Sequence, residues 1–195
     1  MIPPEFLGIF AAFGLATAAG LNAWAPLFLV ALSARFGLIT LTAPYYVMTN
    51  NAVVVGLGVI ALIEGLADKV PVLDHASHLI HFVIQPAAGA ILFAAQGNLI
   101  TDISPILAFF IGALTAGSVH TLRAGIRAPA NVASAGCAAP VISFAEDGMA
   151  ILLTASSLLS PLFIGVVFGV TLICLVWRWR SLRRRPPPTQ TPPNP

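Results

Sequence analysis

Apolar residues in this chain run in continuous blocks rather than alternating with polar ones, and that pattern limits its fold more than any other feature. A membrane β-barrel is built from strands of alternating polarity, whereas a block of about 20 apolar residues is what a helix needs to cross the hydrocarbon core. Only 8% of the 195 residues are charged and 58% are hydrophobic, with a mean hydropathy of +0.94. A soluble domain carries about a quarter charged residues, so the solvent that suits this chain is the lipid bilayer. The expected fold is all-α, a polytopic transmembrane helical bundle of about six crossings over residues 1–179. Residues 180–195 are expected to form a basic, proline-rich, disordered cytoplasmic tail. The net charge of +2 comes mostly from Arg178, Arg180, Arg183, Arg184 and Arg185, and gives no reason to expect nucleic acid as a partner.

The first apolar block, Phe6 to Phe36, is too long for one crossing and too short for two, and Gly20-Leu-Asn-Ala-Trp-Ala-Pro26 sits in its middle. This reads as a crossing, a break and a short half-helix that dips back or lies at the interface. A loop from Gly37 to Asn51 follows, then a second crossing over Ala52 to Ala67, a polar connection from Asp68 to Ser77, and a third crossing from His78 to about Gln96. Ser104-Pro105 opens a fourth crossing that runs to about Leu122, because proline suits a first helical turn. The polar stretch Arg123 to Ala139, with Pro129 inside it, reads as a second broken element. Val141 to Ser156 and Leu162 to Trp179 complete the six.

Thr17-Ala-Ala-Gly-Leu-Asn-Ala23 can be laid over Thr115-Ala-Gly-Ser-Val-His-Thr121, which suggests repeats over residues 6–97 and 104–179. Three crossings per repeat would make the second copy inverted, with broken helices after the first and fourth crossings, as in many secondary transporters. Lysine and arginine accumulate on the cytoplasmic side. Six crossings with the C-terminal arginines inside a cell (inner) membrane place both termini in the cytoplasm, leaving Arg35 alone outside. Cys137 and Cys174 have no ligand spacing and read as small apolar residues. The N-terminus lacks the basic region of a cleavable signal.

Ionisable groups within spans usually face a cavity or one another, since lipid disfavours them by several kcal/mol. Glu64 and Asp68 are spaced i, i+4 on one helical face, and Glu146 and Asp147 lie early in the fifth crossing. They suggest a substrate or proton site between the halves, or else interfacial carboxylates paired with Arg123 or Arg127. His78, His81 and Gln85 form a stripe along the third crossing, suited to proton handling or to hydrogen bonding between helices. With Asp74 and His75, the two histidines are also weak candidates for a transition-metal site. At the first break, Asn22 could cap the half-helix, whose N-terminus would favour an anionic group. At the second, His120, Arg123, Arg127 and Asn131 could clamp a carboxylate or phosphate, or the arginines could serve as cytoplasmic anchors.

Gly20 to Pro26, Glu64-Gly-Leu-Ala-Asp68-Lys69-Val-Pro71, Asp74-His75, His81, His120-Thr-Leu-Arg123-Ala-Gly-Ile-Arg127 and Glu146-Asp147 together resemble a membrane family catalogued as domain-of-unknown-function family 4126. The resemblance covers the chain apart from its proline-rich tail. It implies a bacterial multi-pass membrane protein and brings no activity with it. The function expected from the residues is that of a small secondary transporter or permease for a small solute or ion, with proton coupling as one option. The alternative is a membrane scaffold or assembly factor whose tail recruits a soluble partner. No nucleophile, phosphate-loop or haem motif argues for an enzyme, and no cofactor is expected. Six short helices leave little room for a sealed path, so assembly of two or more copies is compatible with this reading.

Overall fold

The computed structural model describes residues 4–67, 74–96, 103–134 and 137–183. Among them are seven α-helices and no strand: α1 (Pro4–Leu21), α2 (Trp24–Arg35), α3 (Asn51–Ala67), α4 (Asp74–Ala94), α5 (Pro105–Ala133), α6 (Ala139–Leu159) and α7 (Pro161–Arg183). A short 3-10 turn, Tyr45–Thr49, precedes α3. Three helices are individually long and apolar enough to cross a membrane, Pro105–Ala133, Ala139–Leu159 and Pro161–Arg180; the earlier apolar helices are shorter. The all-α bundle expected from the apolar blocks is therefore present.

Local chemistry sets the helix ends. Ser104 caps α5 by accepting from the Leu107 amide at 3.2 Å, with Pro105 in the first turn. At the other end of α2, Gly37 takes φ 72°, which a glycine adopts freely. Its amide donates to Ala34 O at 3.0 Å and the Leu38 amide to Ser33 O at 2.9 Å, closing the helix with the paired bonds of a Schellman motif.

At the core of the bundle, α1 packs against α4, α5, α6 and α7. Its alanines do the packing: Ala11, Ala12, Ala16, Ala18 and Ala19 are all buried. Lipid tails are as apolar as leucine, so helices in a bilayer gain from close backbone approach rather than from escaping water. Small residues permit that approach. A Cβ on Gly20 would lie 2.6 Å from Ala116 O, and one on Gly112 would lie 2.6 Å from Phe93 Cβ and 2.9 Å from Ala90 Cα. Pro86 and Gly89 of α4 belong to this tight α4–α5 crossing, which agrees with the close packing expected of them.

Side-chain contacts give the direction of each helix. Phe13 meets Phe93 with ring centroids 5.1 Å apart, while Gly20 approaches Ala116 and Val119, so α1 runs against α4 and with α5. Arg35 Nε donates to Asn51 Oδ1 at 2.6 Å and Phe28 leans on Gly58, so α2 and α3 are antiparallel. Along α2, Ala25 and Leu29 share a cavity wall with Asp147 and Ile151 of α6, so these two run together and α2 turns back against α1. Phe10 next to Gly165 and Phe13 next to Phe168 show α7 running with α1.

Two expectations change as a result. The polar stretch after Leu122 does not break the fourth crossing: α5 continues through it to Ala133 with Pro129 inside the helix. Arg123 and Arg127, spaced i, i+4 on one face, are both bonded to Glu146 of α6, and that tertiary anchor holds the helix against the roughly 3 kcal/mol an internal proline costs. The second change is topological. The half-helix after the first break does dip back, one of the two readings given for it, but as a full leg, so the seven described helices alternate in direction and α1 begins at the opposite end of the bundle from where α7 finishes. Helices α1 and α5 then run parallel, and any duplication relating residues 17–23 to 115–121 is parallel rather than inverted.

Filling the closest helix contact should be costly. Gly112→Val is expected to destabilise the purified protein by about 2 kcal/mol or more. Gly169→Ala on α7, where a Cβ meets nothing within 4 Å, should stay within about 0.5 kcal/mol of wild type. Thermal unfolding of both variants in one detergent checks the contrast.

Candidate functional site at the helix break

Reversing a helix inside a bilayer strands backbone groups that water cannot reach, and each unmet group costs several kcal/mol there. Asn22, at the turn, serves both sides of it. Its Oδ1 accepts from the Trp24 amide at 2.9 Å and the Ala25 amide at 3.1 Å, and Pro26 has no N–H to satisfy. Its own amide nitrogen continues the α1 ladder by donating to Ala18 O at 3.0 Å. Its Nδ2 donates to Asp147 Oδ1 of α6 at 2.9 Å.

The carbonyls at the end of α1 are met from two other helices. Arg123 of α5 donates through Nη1 to Leu21 O. Gln85 of α4, with its side-chain nitrogen turned toward α1, donates to Gly20 O at 2.9 Å and to His120 Nδ1, while its Oε1 accepts from Arg123 Nη1 at 3.0 Å. His120 Nδ1 is then an acceptor. Gln85 is fully buried and His120 nearly so, and this orientation satisfies every polar atom of the glutamine side chain.

Beyond Arg123 the network reaches α6. Arg123 Nη2 lies 2.7 Å and Arg127 Nη1 2.8 Å from the same Glu146 Oε2. The side chains of Arg127 and Glu146 are 3% and 11% exposed, so this is an interior ion triad. The carboxylate that the two arginines clamp is the protein's own. Removing the carboxylate would take away the charge that Arg123 and Arg127 share, and breaking a buried pair from one side is strongly destabilising.

A second polar pair lies between α3 and α4. Glu64 Oε1 is 2.6 Å from His81 Nε2, with side chains 11% and 12% exposed. Its other oxygen, Oε2, is buried and has no hydrogen-bond partner among the described residues. His81 and Gln85 are one helical turn apart on α4, about 6 Å along the axis. The two polar groups are therefore neighbours along one helix face.

Asp147 turns to a different surface. It lines a cavity of about 260 Å³ between α2, α3 and α6, together with Asn22, Phe28, Leu29, Ala61 and Ile151. A larger groove of about 790 Å³ runs between α4 and α5, walled by Phe82, Leu114, Leu122 and Ile126, with His120 at its edge. These four residues belong to the broad apolar exterior, so this groove faces the acyl chains of a bilayer.

Of the residues picked out from sequence, the structure brings Asn22, His120, Arg123, Glu146 and Asp147 into one cluster around the turn. Glu64 and His81 form the separate pair, so the four acids do not make a single central site. Asp68 lies outside the described residues, as do the side chains of Asp74, His75 and His78 within α4. Among the described residues, no three His, Cys, Asp or Glu side chains come together as metal ligands would. The anion reading of the α2 terminus fails, since Asn22 takes its first two amides and Pro26 has none. Cys137 and Cys174 are unpaired and exposed. For Gln85 and Arg127 the structure takes one of the alternatives the sequence left open: Gln85 hydrogen-bonds other helices, and Arg127 pairs with a carboxylate of the fifth crossing. The i, i+4 spacing of the arginines is the signal that points to a shared partner.

Fold and cluster define the class, an all-α bundle of membrane-spanning character knotted together by polar contacts at an internal helix reversal. The family described as domain of unknown function (DUF4126) matches residues 9–181, and the chain belongs to it. No curated protein and no solved structure matches the chain.

Glu146→Gln should lower stability by about 3 kcal/mol or more, since it removes the charge that Arg123 and Arg127 share. A triple variant that replaces Glu146, Arg123 and Arg127 with leucine should recover part of that loss. Melting temperatures in detergent, read side by side, decide the point.

Proposed function

We propose that this protein is a small proton-coupled secondary transporter for a small solute or ion in the cell (inner) membrane. The observation that carries the reading is the contrast between its buried acids. Glu146 is tied to two arginines and is the counter-charge they share. Glu64 is tied to a histidine, and its second oxygen is buried without a partner among the described residues. Histidine is the side chain best suited to taking up and releasing protons in cells. With its shared proton the Glu64–His81 pair is neutral and without it the pair carries one negative charge, so the exchange strands no fixed cation; Gln85, one turn along α4, belongs to the cluster at the helix break. Interrupted helices with polar groups at the interruption are the usual site of coupling in secondary transporters.

Orientation follows from the helix directions. Arg123, Arg127 and the α7 residues Arg178 and Arg180 belong to one end of the bundle, and Arg35 to the other. The positive-inside rule places the first end, with the C-terminus, in the cytoplasm and the N-terminus outside. Cys137, exposed between α5 and α6 at that end, should react with an impermeant maleimide in inside-out vesicles and not in intact cells. Labelling in intact cells would reverse the orientation.

A second reading, a membrane scaffold, draws on the same Glu146 triad, which fastens α5 to α6 whether or not anything is transported. Liposomes holding a pH dye separate the two. Inward gradients of monovalent cations, alkylamines or carboxylates should drive proton movement with at least one of them, and Glu64→Gln should slow that movement at least tenfold. Equal rates in wild type and variant would refute Glu64 as the proton carrier, and no movement with any solute would leave the scaffold reading.

A further inference from the structure

We propose that a cavity between α2, the turn that follows it and α6 binds a small neutral molecule with an apolar body and one hydroxyl group, of the alkanol or alkylphenol class. The inference goes beyond the transport reading and does not rest on it.

The cavity holds about 290 Å³, and Leu29, Leu38, Ile39, Ala155, Leu158 and Leu159 give it an apolar wall. Because α2 and α6 run together, both finish at the end of the bundle that carries Arg35. Leu38 and Leu159, which follow or close those helices, are strongly exposed and form the rim there. The mouth is therefore at headgroup depth and the floor lies inward, toward Leu29.

Two hydroxyl residues complete the lining, Ser33 and Thr154, and they differ in what they can offer. Thr154 is fully buried and donates to Ala150 O at 2.7 Å. Thr115, Thr121, Ser157 and Thr171 likewise donate to the carbonyl four residues back, which is how a helix meets its own hydroxyls. Ser33 makes no such bond, and its side chain has no hydrogen-bond partner among the described residues. It is the polar group left for an occupant.

This wall selects by chemistry. A water molecule needs two to four polar partners, and the cavity has one to give. None of the described residues that line it is charged, so an ion would lose its hydration without gaining a counter-charge. A hydrocarbon or a lipid acyl chain would fill the space and leave Ser33 unmet. A neutral molecule with a hydroxyl satisfies the walls and the serine together. Ser33 lies one turn nearer the end of α2 than Leu29 does, so the hydroxyl sits toward the headgroups and the apolar body points inward, the orientation an amphiphile already has in the bilayer. The volume equals that of about ten liquid waters, which limits the occupant to roughly ten non-hydrogen atoms. Octan-1-ol meets that limit.

The test is photolabelling of the full-length protein in nanodiscs with a diazirine derivative of octan-1-ol, mapped by mass spectrometry. Label should appear on residues 29–39 and 154–159, saturate, and fall when plain octan-1-ol is added. The matching octane diazirine, which lacks the hydroxyl, should bind about fivefold more weakly, the worth of one neutral hydrogen bond. Ser33→Ala should bring the alcohol down to the level of the alkane. Ala155→Leu, which adds volume to the wall, should remove the label, while Gly169→Leu on α7 should leave it unchanged. Label that never saturates and covers α7 to the same extent means partition into lipid alone and overturns the proposal. So does equal saturable labelling by alcohol and alkane, or by the alcohol in wild type and Ser33→Ala, since either marks a groove for acyl chains. Should Ala155→Leu fail to fold, Ser33→Ala, which removes a single oxygen, still decides.

Discussion

A helix that turns back on itself inside lipid must have its loose backbone groups met by the protein, and the rest of this structure depends on how that is done. Asn22 caps the returning helix, while Arg123 and Gln85 meet the carbonyls at the end of α1. Arg123 and Gln85 come from two other helices, so satisfying the one turn at Asn22 fixes the relative positions of α1, α4 and α5. Asp147 and Glu146 bring in α6 through Asn22 and Arg123. The tertiary arrangement follows from a local hydrogen-bond problem that has no solution within its own segment.

Close packing and polar bonding divide the work along α1. Below the turn, alanine and glycine let α4, α5 and α6 approach with nothing but van der Waals contact. At the turn the contacts become charged and directional. In a bilayer, where apolar burial gives helices no reason to prefer one another over lipid, this order makes sense. Small residues bring helices near in several registers, and the Asn22, Gln85 and Arg123 bonds select one of them.

What was legible in the sequence is what local chemistry decides. Continuous apolar blocks gave the helical class, Asn22 with Pro26 marked the break, and Ser104-Pro105 marked a helix start. The continuity of α5 was hidden because Pro129 and its polar neighbours have the local character of a loop, and the bonds that override it come from Glu146, beyond the helix end. Gln85 could be placed on a polar stripe, but its partners lie 35 or more residues away in sequence and could not be named. The direction of α2 was left between dipping back and lying at the interface because a two-residue turn allows either, and packing against α3 and α6 chooses between them. In each case a long-range contact decides what local chemistry leaves open.

The neighbouring acids Glu146 and Asp147 show how the helix itself sorts structure from chemistry. Successive residues on an α-helix point about 100° apart, so two adjacent carboxylates cannot serve the same surface. Glu146 meets the α5 arginines, and its charge is absorbed into holding the bundle together. Asp147 meets Asn22 and the cavity on the other side. Through Asn22, Asp147 is joined to the residue that caps α2 and ends α1. One acid thus fastens α6 to α5 and its neighbour fastens α6 to the interrupted backbone, so a single turn of α6 holds both the long helix and the reversal in place.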